Sequence, residues 1–189
     1  LSDLAPTFLA ATGVEIPRMM SARSMTDIFA NQETATRDAS YVAMERHDGC
    51  RAGGKGYPCR AIRTENFLYI HNFERTRWPS GSPDASVCAR AIPYGEIDDS
   101  PTKTFMMENR DTQDVAALAE LSFGEQPAEE LYDIANDPYQ MTNLAGSRDH
   151  QAIQEKLRAR LFDRLAETQD PRVVGGTVDW DYYPYYGRI

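Results

Sequence analysis

The stretch YPCRAIRTENFLYIHNF, Tyr57 to Phe73, limits the fold more than any other part of the chain. Two strand-like runs meet at Glu65-Asn66, which predicts an antiparallel hairpin. In the second run, Phe67, Tyr69, His71 and Phe73 alternate onto one face and Leu68, Ile70 and Asn72 onto the other. Apolar residues on both faces mean a strand covered on both sides. Upstream, YVAMER (Tyr41–Arg46) is a short apolar run ending in charge. It reads as a further strand that delivers Glu45, Arg46 and His47 to a sheet edge.

The longest helical pattern runs from about Arg148 to Glu167, where Ile153, Leu157, Leu161 and Leu165 recur every four residues and Ser147 or Asp149 can cap. Asp3–Gly13 reads as a shorter helix with Asp3 as cap, Pro6 in the first turn and Gly13 as stop. Ser24–Phe29 predicts another helical turn, and Asp114–Phe123 has helical spacing through Val115, Leu118 and Leu121. Glu129–Ala145 reads as a strand running into a turn at Asn136-Asp137-Pro138. The glycine-rich segment 48–56 is expected to be a flexible loop, and Trp78–Pro101 a long irregular connection of the kind that carries function. The tail after Pro171 is aromatic without periodicity and needs a docking surface.

The composition, 41% hydrophobic and 26% charged, is that of a globular chain with a real core. A net charge of −9 argues against a general partner among nucleic acids or anionic membranes, which select basic surfaces. No apolar run has the length of a membrane span. The first residues lack the basic start of a signal peptide, and the first residue is Leu rather than Met, as in an engineered, processed or fragmentary chain. Cys50, Cys59 and Cys88 are odd in number and, like the scattered histidines, lack zinc-ligand spacing.

Against that acidic background, one window is basic. Between Glu45 and Arg63 stand Arg46, Arg51, Lys55, Arg60 and Arg63, against the acids Glu45 and Asp48. The arginine fork suits sulfate, phosphate or carboxylate, and His47 can donate to an anion. Ion pairing with distant acids is the competing account of these arginines, and Arg60 and Arg63 point to opposite strand faces. No serine lies in a nucleophile elbow, GCRAGGKGYP lacks the spacing of a phosphate loop, and Asp98-Asp99 reads as a solvated pair. The tyrosines of the tail suit either stacking on a sugar or docking on a protein core.

Taken in order, DLAPTFLAATGVEIP, YVAMERH, YPCRAIRTENFLYIHNF, RWPSG, EELYDIANDPYQMTNLA, a helix and ETQDPRV resemble the C-terminal part of a sulfatase. The resemblance covers nearly the whole chain. ELYD…DP…NLA marks the superfamily, whereas YP-x-R-A-I-R-T…FLYI-x-NF and ET-x-DP are most similar to the heparan N-sulfatase (sulfamidase) branch and its bacterial relatives. It implies an α+β fold, a small antiparallel β-sheet with a packed C-terminal helix, preceded by the last helix and strand of the alkaline-phosphatase-like α/β domain. Residues 1–47 then belong to the end of that large domain, 48–56 to a loop, 57–170 to the small domain and 171–189 to an aromatic tail.

The family attacks sulfur with formylglycine, made from the cysteine or serine of C/S-x-P-x-R, assisted by calcium. Cys50, Cys59 and Cys88 begin CRAGG, CRAIR and CARAI, so the nucleophile and metal site are expected in upstream segments, and this chain alone is expected to be inactive. The resemblance places Glu45, Arg46, His47 and Arg60 at the substrate side of the cleft and assigns Arg63 to structure. The implied partners are the N-terminal sulfatase domain and a sulfated sugar, cleaved at an N- or O-linked sulfate. The alternative is a non-catalytic glycan-binding or interaction module derived from a sulfatase tail. If the first helix and the tail normally pack on a further domain, the isolated chain would expose them or pair with a copy of itself. Many family members are exported, and the chain itself leaves the compartment open.

Overall fold

The computed structural model describes residues 2–30 and 37–184. These fall into two compact units, Leu1–Asp38 and Ala39–Ile189. In the first, α1 (Leu4–Ala11) and α2 (Thr26–Phe29) form where expected. Asp3 does not cap α1 with its side chain; its carboxylate instead accepts from Arg37 Nη1 at 2.6 Å and from the Arg23 backbone N–H at 3.2 Å. Gly13, at φ +74°, adopts the left-handed turn that ends the helix cheaply.

The second unit is built on a four-stranded antiparallel sheet in the order β1-β2-β3-β4, with β1 at Ser40–Met44, β2 at Cys59–Arg63, β3 at Phe67–Asn72 and β4 at Glu129–Asp133. The β2–β3 hairpin forms as the alternation predicts, with Ile62 opposite Tyr69 and Arg60 opposite His71. The strand Ser40–Met44, allotted by the resemblance to the preceding domain, forms the edge of this same sheet. Ile62, Tyr69 and Leu131 make one cross-strand row, on which α5 (Gln151–Glu167) lays Leu157, Leu161 and Leu165. All six are almost wholly buried, and fully burying an aliphatic or aromatic side chain is worth about 1.5–3 kcal/mol.

A second core gathers Tyr94, Val115, Ala119 and Phe123, with Tyr94 stacked on Phe123 at 4.6 Å. Here α3 (Pro101–Glu108) meets α4 (Ala116–Phe123). The buried face of α4 is not the expected one: Leu118 and Leu121 are exposed, while Ala119 and Phe123 face inward. Tyr94, supplied by the irregular connection, takes the flat ring of Phe123, and the small Ala119 lets the helix approach.

Segment 48–56 is not the mobile loop its glycines suggested. Asp48, Cys50 and Arg51 are buried, and Arg51 fixes the following connection through Trp78 O and Pro79 O, both at 2.7 Å. Gly81, at φ +95°, sits so close that an added Cβ would lie 2.7 Å from the Gly95 nitrogen and 3.0 Å from Cys50 Sγ. Among the described residues no helix is long and apolar enough to cross a membrane.

Candidate functional site

The three residues just past β1, Glu45, Arg46 and His47, are three of the four expected site residues, and β2 carries the fourth. Arg60 lies on the same strand face as Ile62, two residues along, but next to His71 rather than in the apolar row. Only 1% of its surface is exposed, and its donors are fully engaged. Nε donates to Asp170 Oδ2 and Nη2 to Glu45 Oε1, each at 2.6 Å, while Nη1 donates to the carbonyls of Met44 and Cys59. The rings of Phe73 and Trp180 lie 5.8 and 5.7 Å from the guanidinium carbon. Burial works against its charge, yet the Asp170 and Glu45 carboxylates outweigh that and raise its pKa further.

Glu45 is held from two sides. Besides Arg60, Arg172 donates from Nε to Oε1 at 3.0 Å and from Nη2 to Oε2 at 2.6 Å, a fork on one carboxylate. Arg172 belongs to α6 (Pro171–Val174), which Asp170 caps by accepting the Arg172 N–H at 3.0 Å. Asp181, from the tail, accepts from both Nη atoms of Arg77 and from the Gly56 N–H. Burial would raise the Asp181 pKa, but those donors prevail and lower it. Arg60, Arg77 and Arg172 thus alternate with Glu45, Asp170 and Asp181 in one mostly buried lattice, and Glu74 pairs with Arg77 and Arg172 at its rim.

Arg46 and His47 stand at the surface of that lattice. His47 leaves 76% of its side chain exposed, with Nδ1 2.9 Å from Glu96 Oε2. Arg46 is half-buried, donating to Gly54 O at 3.0 Å and to Pro184 O at 3.5 Å. Glu96 also holds Arg51 at 2.8 Å, so the His47 partner is itself fixed. The structure therefore brings all four residues to one end of the sheet and gives them different places. Glu45 and Arg60 are locked inside, Arg46 is half-buried and His47 is exposed; Arg63 is exposed on the opposite strand face.

Sequence reasoning missed Asp170, Arg172, Asp181 and Arg77, whose partners lie about a hundred or more residues away. The local signals were ETQDPRV, which holds Asp170 and Arg172, and RWPSG, which opens on Arg77, both already singled out as motifs. The three cysteines are free and raised in pKa by burial, Cys50 to about 12, which makes none of them a poised nucleophile. Among the described residues no group of three or more His, Cys, Asp or Glu converges to hold a metal ion. Among the described residues, neither the buried cysteines nor any cluster of carboxylates fits formylglycine or calcium.

No family model matches the chain. It is 25% identical over 169 residues to an ulvan-active sulfatase of Formosa agariphila, an alignment taking in 89% of this chain and 29% of that protein. A second ulvan-active sulfatase of the same organism is 24% identical over 166 residues, 84% of this chain and 24% of that one. Among solved structures, one in complex with its substrate D-glucosamine-2-N,6-O-disulfate superposes with a TM-score of 0.53 at 21% identity. It covers 90% of this chain and 25% of that chain. Another, tied to the metabolism of multiple glycosaminoglycans by Bacteroides thetaiotaomicron, gives 0.52 at 20% identity over 97% of this chain and 29% of the other. At such identities the structures show a shared fold. The chain spans less than a third of the length of the curated relatives it matches.

Proposed function

We propose, from homology to sulfatases over less than a third of their length, that this chain is the C-terminal portion of an enzyme releasing sulfate from a sulfated sugar. The alignment over 89% of the chain with an ulvan-active sulfatase carries this reading. In it, Arg46 and His47 form part of one wall of the substrate cleft and donate to the sugar's anionic or hydroxyl groups. Glu45 and Arg60 are positioning residues: every donor of Arg60 is spent on Glu45, Asp170 and backbone carbonyls, which fixes the segment bearing Arg46. The nucleophile and the calcium ion come from an N-terminal domain that serves as the partner of this one. The motifs YP-x-R-A-I-R-T and ET-x-DP support a place near the heparan N-sulfatase branch, with a sulfated amino sugar as substrate.

The test is kinetic, in the intact enzyme. Arg46→Ala and His47→Ala should each raise KM severalfold with kcat largely kept, the mark of a lost binding contact. Unchanged KM in both would overturn their assignment. A blot of source cells should show a band more than twice the 21.3 kDa of this chain; a band at that mass would overturn the C-terminal-portion reading.

A further inference from the structure

The sulfatase reading gives the aromatic tail no task, yet the tail is anchored at the candidate site. Asp181 is 10% exposed at its side chain and takes Arg77 at 3.0 Å, the Gly56 N–H at 3.2 Å and Arg172 at 3.6 Å. One residue before it, Trp180 lies against the Arg60 guanidinium at 5.7 Å. Just past the anchor the chain turns outward: Tyr182 is 75% exposed and Tyr183 54%. The next carbonyl, that of Pro184, touches Arg46 Nη2 at 3.5 Å. Two exposed rings therefore leave an anchored backbone beside the half-buried Arg46.

We propose that Tyr182 and Tyr183 form a stacking subsite for a pyranose ring of an acidic, sulfated oligosaccharide, next to Arg46; this rests on the substrate-wall reading given above. A pyranose offers a flat patch of C–H groups edged by hydroxyls. A tyrosine ring matches it with a broad apolar face and a polar rim, and ordering it costs only two side-chain torsions. The sulfate or carboxylate of the same sugar takes the arginine fork, which suits planar oxyanions. Because the whole chain carries a charge of −9, an anionic ligand needs this kind of local recognition. Anchoring by Asp181 means the rings need little ordering on binding.

The experiment is calorimetric titration of the intact enzyme, its nucleophile substituted to block turnover, with a heparin-derived octasaccharide and with its desulfated, re-acetylated counterpart. The double variant Tyr182→Ala/Tyr183→Ala should weaken both by about tenfold, while Tyr182→Phe/Tyr183→Phe stays close to wild type. Arg46→Ala should weaken the sulfated probe alone. Melting curves should match wild type for the tyrosine variants, since both rings are exposed. Equal binding by the alanine double variant, or no binding of either probe by wild type, overturns the subsite. If Arg46→Ala binds normally while the tyrosine variant fails, the Arg46 contact falls and the stacking subsite stands; the reverse pattern removes the subsite alone.

Discussion

Replacing Asp170 by alanine should unfold more of the molecule than its position, just past the C-terminus of α5, suggests. The carboxylate receives Arg60 Nε at 2.6 Å, Arg60 Nη2 at 3.4 Å and the Arg172 N–H at 3.0 Å. Removing one partner of a buried ion pair costs about 3–5 kcal/mol, because the other charge is left desolvated. Arg60 keeps Glu45 at 2.6 Å, which favours the lower end, about 3 kcal/mol. Loss of the α6 cap adds about 1 kcal/mol. For a chain of 189 residues a loss of that size lowers Tm by roughly 10 °C. Urea unfolding followed by circular dichroism should show a lower midpoint at unchanged slope. Asp170→Asn keeps an acceptor for the Arg172 N–H, so it isolates the charge and should fall between wild type and alanine. The apolar pair Arg60→Met/Asp170→Leu should cost less than Asp170→Ala alone, since Glu45 retains Arg172 and no buried charge is orphaned. A loss under about 1 kcal/mol for Asp170→Ala, the size of an exposed pair, would refute the reasoning. So would a double variant weaker than the single one.

Three further outcomes are expected. The folded Asp181 pKa lies below its unfolded one, so its ionised form favours the fold, and that contribution is lost as pH falls below about 4; acid unfolding curves of Asp181→Asn should lack that portion of the loss. Gly56→Ala would place a Cβ 2.8 Å from the backbone carbon and oxygen of Glu45. That contact should cost about 1–3 kcal/mol in a thermal melt. Near pH 8 a thiol reagent should react substoichiometrically with the native chain and reach all three cysteines only in denaturant, because burial holds their pKa values up.

Local patterns were legible where one residue's neighbours in sequence are also its neighbours in space. The alternation in Phe67–Phe73 and the leucines of α5 specify faces, and those faces became the first core. α3 is hidden in the sequence because Ser100-Pro101 reads equally as the close of a loop, although Ser100 caps it by accepting the Lys103 N–H and Pro101 is its first residue. Leucine spacing points to the wrong face of α4 because it says nothing about Tyr94 arriving from an irregular segment. In the candidate site, the basic window was visible, but not which arginines are consumed. Arg60 and Arg46 look alike in sequence. What separates them is Asp170, which lies 110 residues from Arg60, and no spacing rule reaches that far.

The lattice behind Arg46 also has an order in time. Its bonds join residues 110 apart for Arg60 and Asp170, 127 for Glu45 and Arg172, and 125 for Gly56 and Asp181. Contacts that distant in sequence are made late, after local helices and hairpins, because a long loop must close first. During synthesis, β1 and the β2–β3 hairpin emerge well before Asp170 and Asp181, so for that interval the guanidinium of Arg60 has Glu45 as its only carboxylate of the pair. The segment that presents Arg46 and His47 is thus held by residues that are translated only after all four strands of the sheet.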